Sequence, residues 1–118
     1  MALARRGFEA WRAGDFAAVE SVMDPNVRWR AHDPSLEGCD NRDEVMEIVR
    51  ERFQQGFTRG DLEFIDTLGA TVIVVSHPAA VGGPDWPKEI ATVITFRDGR
   101  VSEMQDHPSK EHALRAVN

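Results

Sequence analysis

Apolar positions along this chain recur at two periods, and the order of those periods predicts the architecture. Leu3, Gly7, Phe8 and Trp11 fall at helical spacing and predict a first helix over residues 2–13, stopped by Gly14. Asp15 then N-caps a second short helix that buries Phe16, Val19, Val22 and Met23, and Asp24-Pro25-Asn26 ends it. Residues 27–32 alternate, with Val27, Trp29 and Ala31 on one face and Arg28, Arg30 and His32 on the other, as in a half-buried strand. Asn41 with Glu44 makes a capping-box-like start to a third helix, whose apolar positions are Val45, Ile48, Val49 and Phe53. Residues 62–68 and 71–77 read as strands, and 78–87 as a loop rich in Gly and Pro with Trp86 as its one large side chain. Two more strands, 90–96 and 100–107, precede a short helix N-capped by Ser109. Helices segregated from a run of antiparallel strands imply an α+β fold, a curved antiparallel sheet with helices on one side. No repeat or linker divides the chain, so residues 1–118 form one domain.

The last two strands flank Asp98-Gly99, a strong hairpin signal. A three-residue turn with a glycine bulge would set Ile94 opposite Ser102, Thr92 opposite Met104 and Ile90 opposite Asp106. One face then carries Ile90, Thr92, Ile94, Phe96, Met104 and Asp106. The other carries Ala91, Val93, Thr95, Val101, Glu103, Gln105 and His107. A carboxylate on the more apolar face, Asp106, is the oddity of the pattern.

Composition narrows the partners. Twenty acidic against 14 basic residues give a net charge of -6, and no basic stripe is present, which argues against nucleic acid and anionic membrane surfaces. No run is long and apolar enough to span a membrane. The start, MALARRGFEAW, lacks the h-region and cleavage site of a signal peptide and reads as helix. A single cysteine, Cys39, rules out an internal disulfide and suits a reducing cytoplasm. The histidines and Cys39 show no ligand spacing, so no metal is expected.

Three stretches in this order, FEAWRAGDFAAVESVMDPNVRW, NRDEVMEIV and FRDGRVSEMQD, resemble the nuclear transport factor 2-like superfamily. That superfamily has the cone-shaped fold of ketosteroid isomerase, scytalone dehydratase and the SnoaL-like polyketide cyclases, and the SnoaL-like group is the nearest match. The resemblance spans nearly the whole chain. It implies helices closing over the concave face of the sheet to leave an apolar pocket walled by Trp29, Thr92, Ile94, Met104 and Phe53, with Trp86 on the rim loop. Asp106 matches the acid/base aspartate of the cyclases, and Asp33, before a proline, resembles the isomerase's general base. Thr92 falls where that isomerase keeps a protonated aspartate. The isomerase's tyrosine phenol has no counterpart, because the chain contains no tyrosine.

Each candidate has a plainer alternative. Asp106 serves either as a pocket acid/base or as a structural carboxylate paired with Arg28, Arg30 or a helix N-terminus. Asp33 is either a base or a turn initiator. His32 is a candidate proton donor or carboxylate orienter, whereas His107 falls on the face opposite Asp106. The charged run Arg50-Glu51-Arg52 reads as a solvated helix face. Two functions fit these residues. One is cofactor-free isomerisation, cyclisation or dehydration of a small hydrophobic molecule by Asp106 with Asp33 or His32. The other is a non-catalytic pocket for a hydrophobic ligand, or a dimerisation module. The β-branched outer face, with Val93, Thr95 and Val101, predicts a homodimer through that surface.

Overall fold

The computed structural model describes residues 2–31, 38–56, 60–67, 69–77 and 89–117. Four helices and five strands follow in the order α1 (Ala2–Arg12), α2 (Phe16–Ser21), β1 (Met23–Arg30), α3 (Arg42–Gln54), β2 (Asp61–Asp66), β3 (Thr71–His77), β4 (Ile90–Arg97), β5 (Arg100–His107) and α4 (Lys110–Val117). Local chemistry fixes the helix ends. Gly14, at φ 74°, closes α1 in the left-handed conformation that glycine tolerates. The Asp15 carboxylate accepts from the Ala18 N–H at 3.2 Å and starts α2. Asn41 Oδ1 accepts from the Glu44 N–H at 2.9 Å, while its Nδ2 donates to Glu44 Oε1, so the cap of α3 is reciprocal.

The strands lie in one curved, unclosed sheet of order β1-β5-β4-β3-β2. The last four strands in sequence pair antiparallel with their neighbours, as the pattern predicts. The fully antiparallel sheet needs one correction: β1 runs parallel to β5. A long connection through α3 and three strands separates them, so no tight turn imposes an antiparallel return. β1 also begins earlier than expected, at Met23, and takes in Asp24-Pro25-Asn26. A register break between Met23 and Arg28 accommodates that turn sequence, and an edge strand tolerates the missing N–H of Pro25.

The β4–β5 hairpin keeps its Asp98-Gly99 turn but moves its bulge. Asp98 and Gly99 both have positive φ, 54° and 77°, as a two-residue turn with primed geometry requires. Arg97 pairs with Arg100, and the irregularity lies beyond, between Thr95 and Phe96, where Ser102 is the extra residue. Thr92 therefore pairs with Asp106 and Ile94 with Met104, two places from the expected partners. The faces of these four residues survive, because one inserted residue restores parity wherever it sits. Val101 lies on the turn side of the bulge, pairs with Phe96, and packs in the core on the concave side rather than on the outer face.

Two cores lie on opposite faces of the sheet. The larger joins α1, α2 and α3 to the concave face through Val27, Trp29, Val72, Val74, Ile94 and Val101. The smaller packs Ala113, Leu114 and Val117 of α4 against Ile73, Val75, Ala91 and Val93 on the other face. Helices thus cover both faces, not the concave one alone. Ala91 is fully buried and Val93 is 9 % exposed within the single chain. Of the expected outer patch, Val101 packs in the concave-side core, and Ala91 and Val93 pack under α4 within the single chain.

Candidate functional site

Asp106 stands one residue from the end of β5 and is 3 % exposed, the one buried charged residue among the described residues. A carboxylate removed from water needs donors, and among the described residues two reach it. Thr92 Oγ1, directly across on β4, donates to Oδ1 at 2.8 Å. Arg52 Nη2 from α3 donates to Oδ2 at 3.3 Å and supplies the counter-charge. The Arg52 guanidinium also lies over the Trp29 ring, 5.0 Å from its centroid, so a cation–π contact holds it from the β1 side.

These groups form the polar corner of an otherwise apolar cavity of about 110 Å³. Leu3, Phe8 and Trp11 of α1 wall one side, Val45, Ile48 and Val49 of α3 another, and Trp29, Ile94 and Met104 the sheet floor. The Trp11 indole N–H donates to the Val49 carbonyl at 2.9 Å and pins α1 to α3 over the cavity. Arg52, Ser76, Thr92 and Asp106 are the charged or hydroxyl-bearing side chains of the lining among the described residues.

Five of the sequence candidates meet here: Asp106, Trp29, Thr92, Ile94 and Met104. Phe53 does not. Its ring packs edge-on against Phe16 at 5.4 Å, at the α2–α3 junction and close under Gly14. One residue beyond Arg52 on a helix is a rotation of about 100°, which carries Phe53 off the cavity face. His32, Asp33, Trp86 and the rim loop 78–87 lie outside the described residues. Arg28 and Arg30 are not partners of Asp106. They pair with Asp40 at 4.0 and 2.6 Å, and the hydrogen bond from Arg30 holds the Asp40 carboxyl below the usual range. His107 pairs with Ala91, on the α4 side.

Arg52 is the residue that the sequence reading misplaced on a solvated face. The signal was present: Val45, Ile48, Val49 and Arg52 follow the i, i+3, i+4, i+7 spacing of a single helical face. Cys39 is buried, and desolvation, reinforced by Glu44, pushes its thiol above the ordinary value, which leaves it protonated and a poor nucleophile. Among the described residues no group of three or more His, Cys, Asp or Glu is placed to hold a metal ion. No described helix is long and apolar enough to cross a membrane.

A curved sheet with three helices over its concave face, and an apolar cavity between them with a carboxylate in its wall, defines a class of small cavity-bearing α+β domains. The family model of the SnoaL-like domain matches residues 4–104, and the chain belongs to that family; its fold is the nuclear transport factor 2-like one. Solved structures share the fold. A nuclear transport factor 2-like protein of unknown function from Burkholderia pseudomallei is 24% identical, with a TM-score of 0.69 over 100% of this chain and 96% of its own. A candidate polyketide cyclase from Sinorhizobium meliloti is 14% identical, with a TM-score of 0.70, covering 91% of this chain and 94% of its own. A candidate ketosteroid isomerase from Kribbella flavida is 19% identical, with a TM-score of 0.65, covering 89% and 73%. No curated protein matches the sequence.

Proposed function

We propose that the cavity binds a small apolar molecule and that Asp106 moves a proton on it, in an isomerisation, cyclisation or dehydration that needs no cofactor. One observation carries this reading: a carboxylate 3 % exposed, in an apolar cavity, held by one neutral and one charged donor. Each carboxylate oxygen has two acceptor sites, so Asp106 retains capacity for a substrate proton while both donors stay in place. The Thr92 hydroxyl suits either state, since it donates to the carboxylate and accepts from the acid. Arg52, a donor only, holds Oδ2 as an acceptor. The names of the two candidate enzymes among the structural neighbours agree with such chemistry.

The test is exchange of the α-protons of phenylacetone, a one-ring enolisable ketone, in deuterated water. The wild-type chain is expected to accelerate exchange and Asp106→Asn to abolish the acceleration with the fold retained. Equal rates with and without protein would overturn the catalytic reading. The second reading, a binding site without turnover, is favoured by the absence of any tyrosine to polarise a carbonyl. It predicts binding of the ketone with no exchange.

A further inference from the structure

The cavity floor is a ladder of side chains whose rungs change polarity from one end to the other. Val74, Thr92 and Asp106 share a rung, and Ser76 with Ile90 forms the next one outward. In the opposite direction come Val72, Ile94 and Met104 beside Trp29, and then Phe96 and Val101 beside Met23. Among the described residues, the charged or hydroxyl-bearing side chains of the lining belong to the first two rungs: Ser76, Thr92 and Asp106, with Arg52 bonded to Asp106. The far end is made by Val19, Val22, Met23 and Val101, each between 3 % and 6 % exposed, with the Val101 N–H donating to the Val22 carbonyl at 2.9 Å. The strand from Thr92 to Phe96 covers roughly 13 Å, so a cavity of about 110 Å³ is drawn out along β4 rather than round. We infer that the site takes an alcohol or methyl ketone with a slender apolar tail, its oxygen at Asp106 and Thr92 and its tail pointing toward Met23 and Val101. This rests on the proposed reading of the cavity as a ligand site and adds the shape and direction of what enters.

The direction follows from the cost of burying oxygen. At the polar rungs a ligand hydroxyl donates to a remaining acceptor site on Asp106, and a ligand carbonyl accepts when Asp106 carries the proton. At the other end the side chains of Val19, Val22, Met23 and Val101 offer no oxygen or nitrogen. A hydroxyl placed among them gives up its water without a partner, which weakens binding about ten-fold or more. Each methylene that enters instead strengthens binding about four-fold, through the apolar surface it removes from water. That gain ends where the floor ends. An extended hexyl chain lies within roughly 13 Å, and a decyl chain with its hydroxyl seated at Asp106 overruns it.

Straight-chain primary alcohols test length, and the diol with a hydroxyl at both ends of a hexyl chain tests direction. Titrations of the wild-type chain, followed by the indole N–H resonances of Trp11 and Trp29, are expected to show affinity rising about four-fold per methylene from butanol to hexanol. The rise is expected to have stopped by decanol, and the diol is expected to bind about ten-fold more weakly than hexanol. Nuclear Overhauser contacts are expected from the terminal methyl of hexanol to Met23 and Val101, and from its carbinol methylene to Thr92. Val101→Phe fills the apolar end and is expected to weaken hexanol toward the level of butanol. Should that variant fail to fold, the wild-type series and the Overhauser contacts decide the question alone. A diol that binds as tightly as hexanol, an affinity still climbing at decanol, a terminal methyl beside Thr92, or hexanol binding unchanged in a folded Val101→Phe chain overturns the inference and leaves the ligand-site reading intact. Failure of every alcohol to bind the wild-type chain overturns both.

Discussion

Thr92 and Asp106 are cross-strand partners on β4 and β5, joined by a side-chain hydrogen bond of 2.8 Å inside the cavity wall. Removing the hydroxyl while keeping the shape tests that bond. Thr92→Val is expected to cost about 1–3 kcal/mol, because one carboxylate oxygen loses its donor without gaining water. Thr92→Ser is expected to recover most of that loss. Urea denaturation of the three proteins measures both.

Arg52 is expected to matter more than any exposed arginine. Arg52→Gln leaves a carboxylate 3 % exposed without its counter-charge and is expected to destabilise the chain by about 3 kcal/mol. Adding Asp106→Asn removes the stranded charge and is expected to restore much of the loss. A double-mutant cycle in denaturant reads the coupling, and additive single effects would deny that the pair acts as a unit.

Val93→Arg separates a covered face from a docking face. Val93 packs under α4 in the single chain, so a buried guanidinium there is expected to cost roughly 3 kcal/mol or more and to release α4. Far-ultraviolet circular dichroism and thermal melting follow the loss. A folded, fully stable variant whose only change is a halved mass would instead restore the outer-face dimer.

Acid is expected to loosen α4 through Glu89. Its carboxylate accepts from the Lys110 N–H at 2.8 Å, at the first residue of α4, and from His77 at 3.0 Å. The Lys110 N–H, and after it His77, hold the Glu89 carboxyl below its ordinary value. A lowered folded-state value means that the stabilisation is complete above the ordinary glutamate range and fades as the pH falls below roughly 4, through the folded value. Hydrogen exchange in residues 110–117 is expected to rise in that window, and Glu89→Gln is expected to flatten the dependence.

Cys39 is expected to resist alkylation at neutral pH. Its thiol is buried, and that burial favours the protonated form. Iodoacetamide labelling should be slow in the native chain and rapid in denaturant, with mass spectrometry as the readout.

The helices, their caps and the succession of the last four strands were legible in the sequence because each rests on local chemistry: Gly14, Asp15, Asn41 with Glu44, and Asp98-Gly99. Side-chain faces beyond the bulge were legible too, since parity there depends on the number of inserted residues and not on where they fall. The pairing was not. Moving the bulge from the turn to Ser102 shifts every partner, sends Val101 inward, and depends on packing against the rest of the sheet. The parallel β1–β5 edge and the seat of α4 are long-range choices that no local pattern encodes. Arg52 was hidden by its neighbours, Arg50 and Glu51. A run of charges suggests solvent, while the spacing from Val45 placed one of them inside.

β4 carries alternate residues to two different destinations. Ile90, Thr92 and Ile94 line the cavity, while Ala91 and Val93 hold α4 on the far side. Substitutions at the even-numbered positions can rewrite what the chamber accepts while the odd-numbered ones keep the anchorage unchanged. Changes beneath α4 can raise or lower the melting point without redrawing the chamber. Recognition and the anchorage of α4 are thus interleaved along one strand, which gives a small chain room to diverge in ligand while keeping that anchorage.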